Sequence, residues 1–188
     1  MKEGSQRSTK KFEIICVKIL LSNIKIKCMS NPQKLEIKAS LKIQKPVHEV
    51  FEAIVDPAKM SNYFISKSTG RMEEGKTLTW QFPEFDMEFP VRVQKTEQDK
   101  YISYSWDDWE DNSIQTLVEI KLEPKGNDET FVTVTEKSRE SNEAGMKWLR
   151  SNTEGWANFL ACLKAYIEYG INLRKGAFDA SRVPETSS

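Results

Sequence analysis

Histidine is almost missing from this chain: among 188 residues there is one, His48. A multi-histidine metal site cannot be built from it. Its place between Val47 and Glu49 reads as the solvent side of a short helix, a poor position for a histidine-based catalytic triad. Cysteine is scarce too. Cys16, Cys28 and Cys162 show no CxxC spacing and no histidine nearby, which excludes a disulfide framework and a zinc site and points to reduced thiols in a cytoplasm. The longest apolar run, from Phe12 to Leu21, is broken by Glu13 and Lys18 and falls well short of the ~20 residues a membrane helix needs. No small-residue cleavage site follows it, so a secretory signal is not the expected reading. Glycine-rich phosphate loops, a nucleophile elbow and an EF-hand spacing are all absent. No catalytic residue, metal ligand or cofactor is assigned.

An excess of charge is missing as well, with 28 basic and 28 acidic side chains, but the balance is uneven along the chain. Residues 1–29 hold seven basic and two acidic side chains, so residues 30–188 carry the acidic excess. A mildly acidic body offers no face for many phosphates, which argues against nucleic acid. Met29 opens directly into the strand-like "MSNPQKLEIKASLKI". Residues 1–29 therefore read as a basic extension, disordered or a mis-assigned start, residues 30–176 as one domain, and residues 177–188 as a flexible tail.

What is present is periodicity. Leu35, Ile37, Ala39, Leu41 and Ile43 alternate with polar residues, the pattern of a strand buried on one face. Val47, Val50, Phe51 and Ile54 then recur at helical spacing behind Pro46, and Asp56 stands ready to cap a second short helix, "PAKMSNYF". Alternation returns around Leu78, Trp80 and Phe82; Phe85, Met87, Phe89, Val91 and Val93; Ile102, Tyr104 and Trp106; Ile114 to Leu122; and "TFVTVTEK". Pro90 suits only an edge or a bulge. Short strands with turns between them predict an antiparallel meander. Beyond it, Trp156, Phe159, Leu160, Leu163, Ile167 and Ile171 form one apolar stripe, continued upstream by Met146 and Leu149. The opposite face carries Asn158, Lys164, Glu168 and Asn172. Ser151 with Glu154 is a capping-box signature that would start this helix, and Gly176 is expected to end it in preference to Gly170.

This order of elements resembles the START-like, helix-grip superfamily, also called SRPBCC, which includes the birch-pollen-allergen type (Bet v 1-like) and the polyketide cyclases. Within it, "KIQKPVHEVFEAIVDPAKMSNYF" and "TEGWANFLACLKAYIEYG" look like the branch named after the C-terminal domain of the activator of the ninety-kilodalton heat-shock chaperone ATPase. The resemblance covers roughly residues 34–175. It implies an α+β helix-grip fold: a curved antiparallel sheet of about seven strands wrapped on a long C-terminal helix, with two short helices after the first strand. It also implies a cavity between sheet and helix. Carried over by position, the lining is Trp80, Phe82, Met87, Phe89, Tyr104, Trp106, Trp156, Phe159, Leu160 and Leu163, set against the plainer expectation that inward aromatics are solid core.

Three functions follow as expectations. The first is a non-enzymatic cytoplasmic domain that binds a small hydrophobic ligand. The second is an adaptor or co-chaperone-like regulator that contacts a chaperone or another protein, for which Trp109 in the acidic loop "DDWEDN" is the exposed candidate. The third is a polyketide-cyclase-like enzyme. Neither membrane nor nucleic acid is expected as a partner. Cys162 reads as a buried inert thiol. Glu88 and Arg92 share a strand face, either as a solvated ion pair or, in the opposite register, as a polar anchor in the cavity.

Overall fold

The computed structural model describes residues 34–177, apart from 85 and 109–112. The readings made for residues 1–33, for Phe85, for the tip of the acidic loop with Trp109, and for the tail after 177 lie outside the described residues.

Period-two hydrophobicity makes β1 (Lys34–Ile43), whose Ile37 and Ile43 are buried while the lysines between them face out. Pro46, which has no N–H to leave unbonded, precedes α1 (Val47–Val55), and this helix buries Val50, Phe51 and Ile54. Asp56 then caps α2 (Pro57–Met60) by accepting a hydrogen bond from the Ala58 N–H at 2.9 Å. Six further strands follow: β2 (Lys67–Ser68), β3 (Thr77–Gln81), β4 (Glu88–Glu97), β5 (Tyr101–Asp107), β6 (Gln115–Pro124) and β7 (Thr130–Glu140). The short β2, which has no sequence periodicity, is the one strand the pattern does not announce.

All neighbouring strands are antiparallel, in the order β1-β7-β6-β5-β4-β3-β2, so the first strand closes beside the last. Two register shifts, at Leu35/Glu36 and at Val93/Lys95, bend the ladders. The first turns Arg139 of β7 into the interior, where it is 6% exposed. Pro90 pairs with Thr79 on β3, while the ladder to β5 begins only at Val91, so the missing N–H interrupts no rung of that ladder.

The sheet's inner face is covered by α3 (Glu143–Tyr169), which packs on β1, β7 and α1. Trp148, Trp156, Phe159, Leu160 and Leu163 form its buried stripe. Both expected ends of this helix need correction. It starts about two turns before Ser151, with Asn142 as N-cap accepting from the Gly145 N–H at 2.8 Å. The Ser151 hydroxyl donates within the helix to the Lys147 carbonyl. At the far end Gly170, at φ 69°, takes the left-handed cap and stops the helix, so Ile171 lies outside the stripe and is 50% exposed. The expected polar face is also not simply solvated. Glu168 accepts from the Gln44 N–H at 2.6 Å and from Lys164, whose ammonium also donates to the Lys42 carbonyl, and together they latch the helix to the end of β1.

Gly145 is fixed by close approach. A Cβ built there would lie 1.9 Å from the Glu140 carbonyl oxygen and 3.1 Å from Leu35 Cδ1. Backbone must move to admit it. Gly145→Ala should therefore cost about 1–3 kcal/mol despite alanine's better helix propensity, read as a fall in the urea midpoint.

Among the described residues no helix is long and apolar enough to cross a membrane.

Candidate functional site

Between the β3–β5 end of the sheet and the middle of α3 lies an open cleft of about 480 Å³. Its position follows from side-chain phase. Phe89 on β4 and Trp106 on β5 point inward with the core residues Val91 and Tyr104, but sit further along their strands, where the helix no longer fills the space. Phe82, just past β3, and Phe64, in the turn after α2, complete one wall, and Trp156 enters from the helix. These rings contact one another continuously. Phe82 and Phe89 stack at 5.0 Å, Trp106 and Trp156 at 5.5 Å, and Phe64 meets Phe82 edge-on at 5.2 Å. Ser151, Asn152, Gly155 and Asn158 line the helix side, and Met87, Glu88 and Pro90 stand at the mouth.

The ten residues expected to line a cavity therefore divide. Phe82, Met87, Phe89, Trp106 and Trp156 border the cleft. Trp80, Tyr104, Phe159, Leu160 and Leu163 are at most 3% exposed and form the packed core beneath it. Phe64, Asn152, Glu136 and Arg174 border the cleft without having been anticipated.

Glu136 is the main addition. It follows Val132 and Val134 on the inward phase of β7 and is 0% exposed. Four neutral donors surround its carboxylate. Oε1 accepts from Trp106 Nε1 at 2.9 Å and Thr116 Oγ1 at 2.6 Å; Oε2 accepts from Asn152 Nδ2 at 3.1 Å and Trp156 Nε1 at 2.6 Å. That uses the roughly four lone-pair positions a carboxylate offers. A burial this complete is otherwise costly, and the donors offset it. The two cleft tryptophans are thus oriented by one acid behind them. Deep burial pushes the Tyr104 phenol well above its ordinary range, and the negative charge of Glu136 pushes it further the same way.

Most of the other charges near the cleft are paired. Arg92 donates to Asp107 at 2.9 Å, across to the neighbouring strand; Glu88 is not its partner, which corrects the expected pair on one strand. Asp108 faces the buried Arg139 at 3.7 Å. The first two acids of the "DDWEDN" loop are thereby held in ion pairs, Asp108 in the interior. Arg174, in the turn after α3, is held by Glu84 through two bonds of 2.9 and 2.7 Å, and its guanidinium lies over Phe64 and Phe82 at 5.6 and 5.0 Å. His48 pairs with Asp99 at 3.1 Å on the outside of the fold, away from the cleft lining. Cys162 is buried, which pushes its thiol up. Among the described residues no group of histidine, cysteine and acidic side chains is placed to hold a metal.

Residues 44–168, nearly everything from the end of β1 to the end of α3, match the family described as "Activator of Hsp90 ATPase homolog 1-like protein". The chain belongs to this family. The protein SSP2350 from Staphylococcus saprophyticus is similar at 31% identity and a TM-score of 0.65, over 74% of this chain and 96% of that one. The Aha1 of Colwellia psychrerythraea, solved in solution as a dimer, shares the fold at 20% identity and a TM-score of 0.61, over 72% and 98% of the two chains. DynU16, a putative protein of the dynemicin biosynthetic locus, shares it at 21% identity and a TM-score of 0.62, over 72% of this chain and 48% of its own. No curated protein matches. The activator-like family and these neighbours establish the START-like helix-grip architecture. In this member all the cleft-lining side chains except Arg174 come from the matched region.

Proposed function

We propose that this activator-like domain is a non-enzymatic cytoplasmic binding module that takes a small hydrophobic molecule into the cleft between β3–β5 and α3. The observation that carries this is the cleft itself. About 480 Å³ of open space is walled by five aromatic side chains, with polar and charged groups on the helix side and at the rim, within the ~300–1,000 Å³ range of small-molecule sites. A contact surface for a partner protein would present side chains outward, whereas these rings face a hollow. An enzyme would need an acid, base or nucleophile with a lone pair aimed at substrate. Glu136 has its acceptor positions occupied by donors from the protein, Asp107 and Asp108 are held in ion pairs, Glu88 stands at the exposed mouth, and His48 lies elsewhere. A reduced, buried Cys162 suits a cytoplasmic setting.

Gly155 supplies a test that leaves the fold alone. It lies on the cleft side of α3, and a Cβ added there meets nothing within 4 Å. Gly155→Leu should fill the cleft while improving helix propensity by about 0.5–1 kcal/mol. Nile red, neutral and fluorescent in apolar surroundings, is expected to brighten with the parent protein and to lose at least about tenfold in affinity with Gly155→Leu, since its place is taken. Unchanged Nile red binding by a variant that is as stable as the parent or more so would place the ligand elsewhere.

A further inference from the structure

The cleft's electrostatics go beyond apolar binding, and the inference drawn from them rests on the cleft being a ligand site. Among the described residues five charged side chains line it: Glu88, Asp107, Asp108, Glu136 and Arg174. Three are matched by partners, Asp107 by Arg92, Asp108 by Arg139 and Arg174 by Glu84. Glu88 and Glu136 remain, and neither has a cationic partner among the described residues. The site therefore keeps negative charge at two levels, one carboxylate at the mouth and one behind the floor.

The aromatic wall transmits the deeper charge. Trp106 and Trp156 both donate their indole N–H to Glu136, and they stack with an interplanar angle of 28°. An indole whose N–H is bonded to an anion holds more electron density on its ring faces, and an electron-rich face attracts cations. The opposite end of the same cleft already shows the pairing: the Arg174 guanidinium lies over Phe82 and Phe64. That end has its own cation and counter-ion. Among the described residues the tryptophan end has the rings and the carboxylates but no cation.

We infer that the ligand of this cleft is a hydrophobic molecule bearing a positively charged nitrogen, a protonated amine or a quaternary ammonium, seated against Trp106 and Trp156 between Glu88 and Glu136. A carboxylate or phosphate ligand finds no partner there. Among the described residues the one cation in the lining, Arg174, is held by Glu84 in a two-bond pair, and the two unmatched acids repel anions.

Three probes with the same chain test it: octyltrimethylammonium, octanol and octanoate, each titrated calorimetrically into the full chain below its micelle-forming concentration. The expected order is ammonium tightest, octanol weaker by about tenfold, and octanoate weakest. Glu136→Gln should remove most of the preference, lowering octyltrimethylammonium affinity by about tenfold while octanol stays within about twofold. A merely structural role for Glu136 would lower both probes alike. If that variant does not fold, Glu88→Gln at the exposed mouth serves in its place. It should weaken octyltrimethylammonium by about two- to fivefold, an effect that fades at high salt. Equal binding of ammonium and octanol, or a preference for octanoate, would overturn the inference and leave the apolar binding site standing. Binding of none of the three, with no Nile red signal, would overturn both.

Discussion

Glu136→Ala is expected to lower the stability of the domain by about 3–5 kcal/mol, the largest loss of any single polar substitution in the fold. Removing this acid strands four donors at once. Thr116 and Trp156 are 1% and 3% exposed, so each should cost about 1–3 kcal/mol as an unsatisfied buried donor. Trp106 and Asn152 are half-buried beside the cleft and can be rehydrated. They add little. Relief from burying a charge works in the opposite direction, and the vacated volume works against stability again. Urea unfolding followed by far-ultraviolet circular dichroism reads the outcome without relying on the perturbed tryptophans. A change under ~1 kcal/mol would mean that the carboxylate is not the common acceptor of these four groups. Asn152→Ala is the internal comparison: it removes one half-exposed donor and should cost no more than about 1 kcal/mol.

The same acid shows where sequence pattern reads clearly and where it stops. Period two locates β1, β3 to β7 and their inward residues, because each apolar side chain on a pleated strand has to reach the one available core. It therefore also places Phe89 and Trp106 facing the helix–sheet space, as the helical spacing of the long stripe places Trp156. The division between packed core and open cleft is invisible to it. Trp80 and Trp106 carry the same phase, yet one is 2% exposed and buried against Tyr104 and Phe64 while the other borders the hollow. What separates them is how far the helix extends over each strand, a property of the assembled layers. A signal for Glu136 was nevertheless present. An acid that continues the inward series of Val132 and Val134 contradicts the apolar phase, and such a contradiction marks a buried polar group. Arg174 and Phe64 had no comparable signal. They reach the cleft from turns, where no periodicity operates. The helix limits failed for a related reason: a serine followed by a glutamate resembles a cap, but Asn142 lies where the chain turns off β7, and that turn decides where the helix begins.

Leu163→Ala and Ile171→Ala, which lie on one apolar stripe in the sequence, should separate completely. Leu163 is 0% exposed, on the part of α3 that packs against the sheet and α1. Cutting it to alanine removes three carbons, a methine and two methyls, from a close-packed interior and leaves a cavity. The expected cost is about 2–5 kcal/mol. Ile171 lies one residue past the left-handed Gly170, where the helix has ended, and is 50% exposed. Its loss should stay within about 0.5 kcal/mol, as for a surface change. Urea midpoints of the two variants, with matching slopes, decide the issue. A Leu163→Ala variant as stable as the parent would mean that the long helix does not seat its stripe in the sheet, and the cleft, whose helix wall is the preceding two turns of the same rod, would have no fixed side for a ligand to meet.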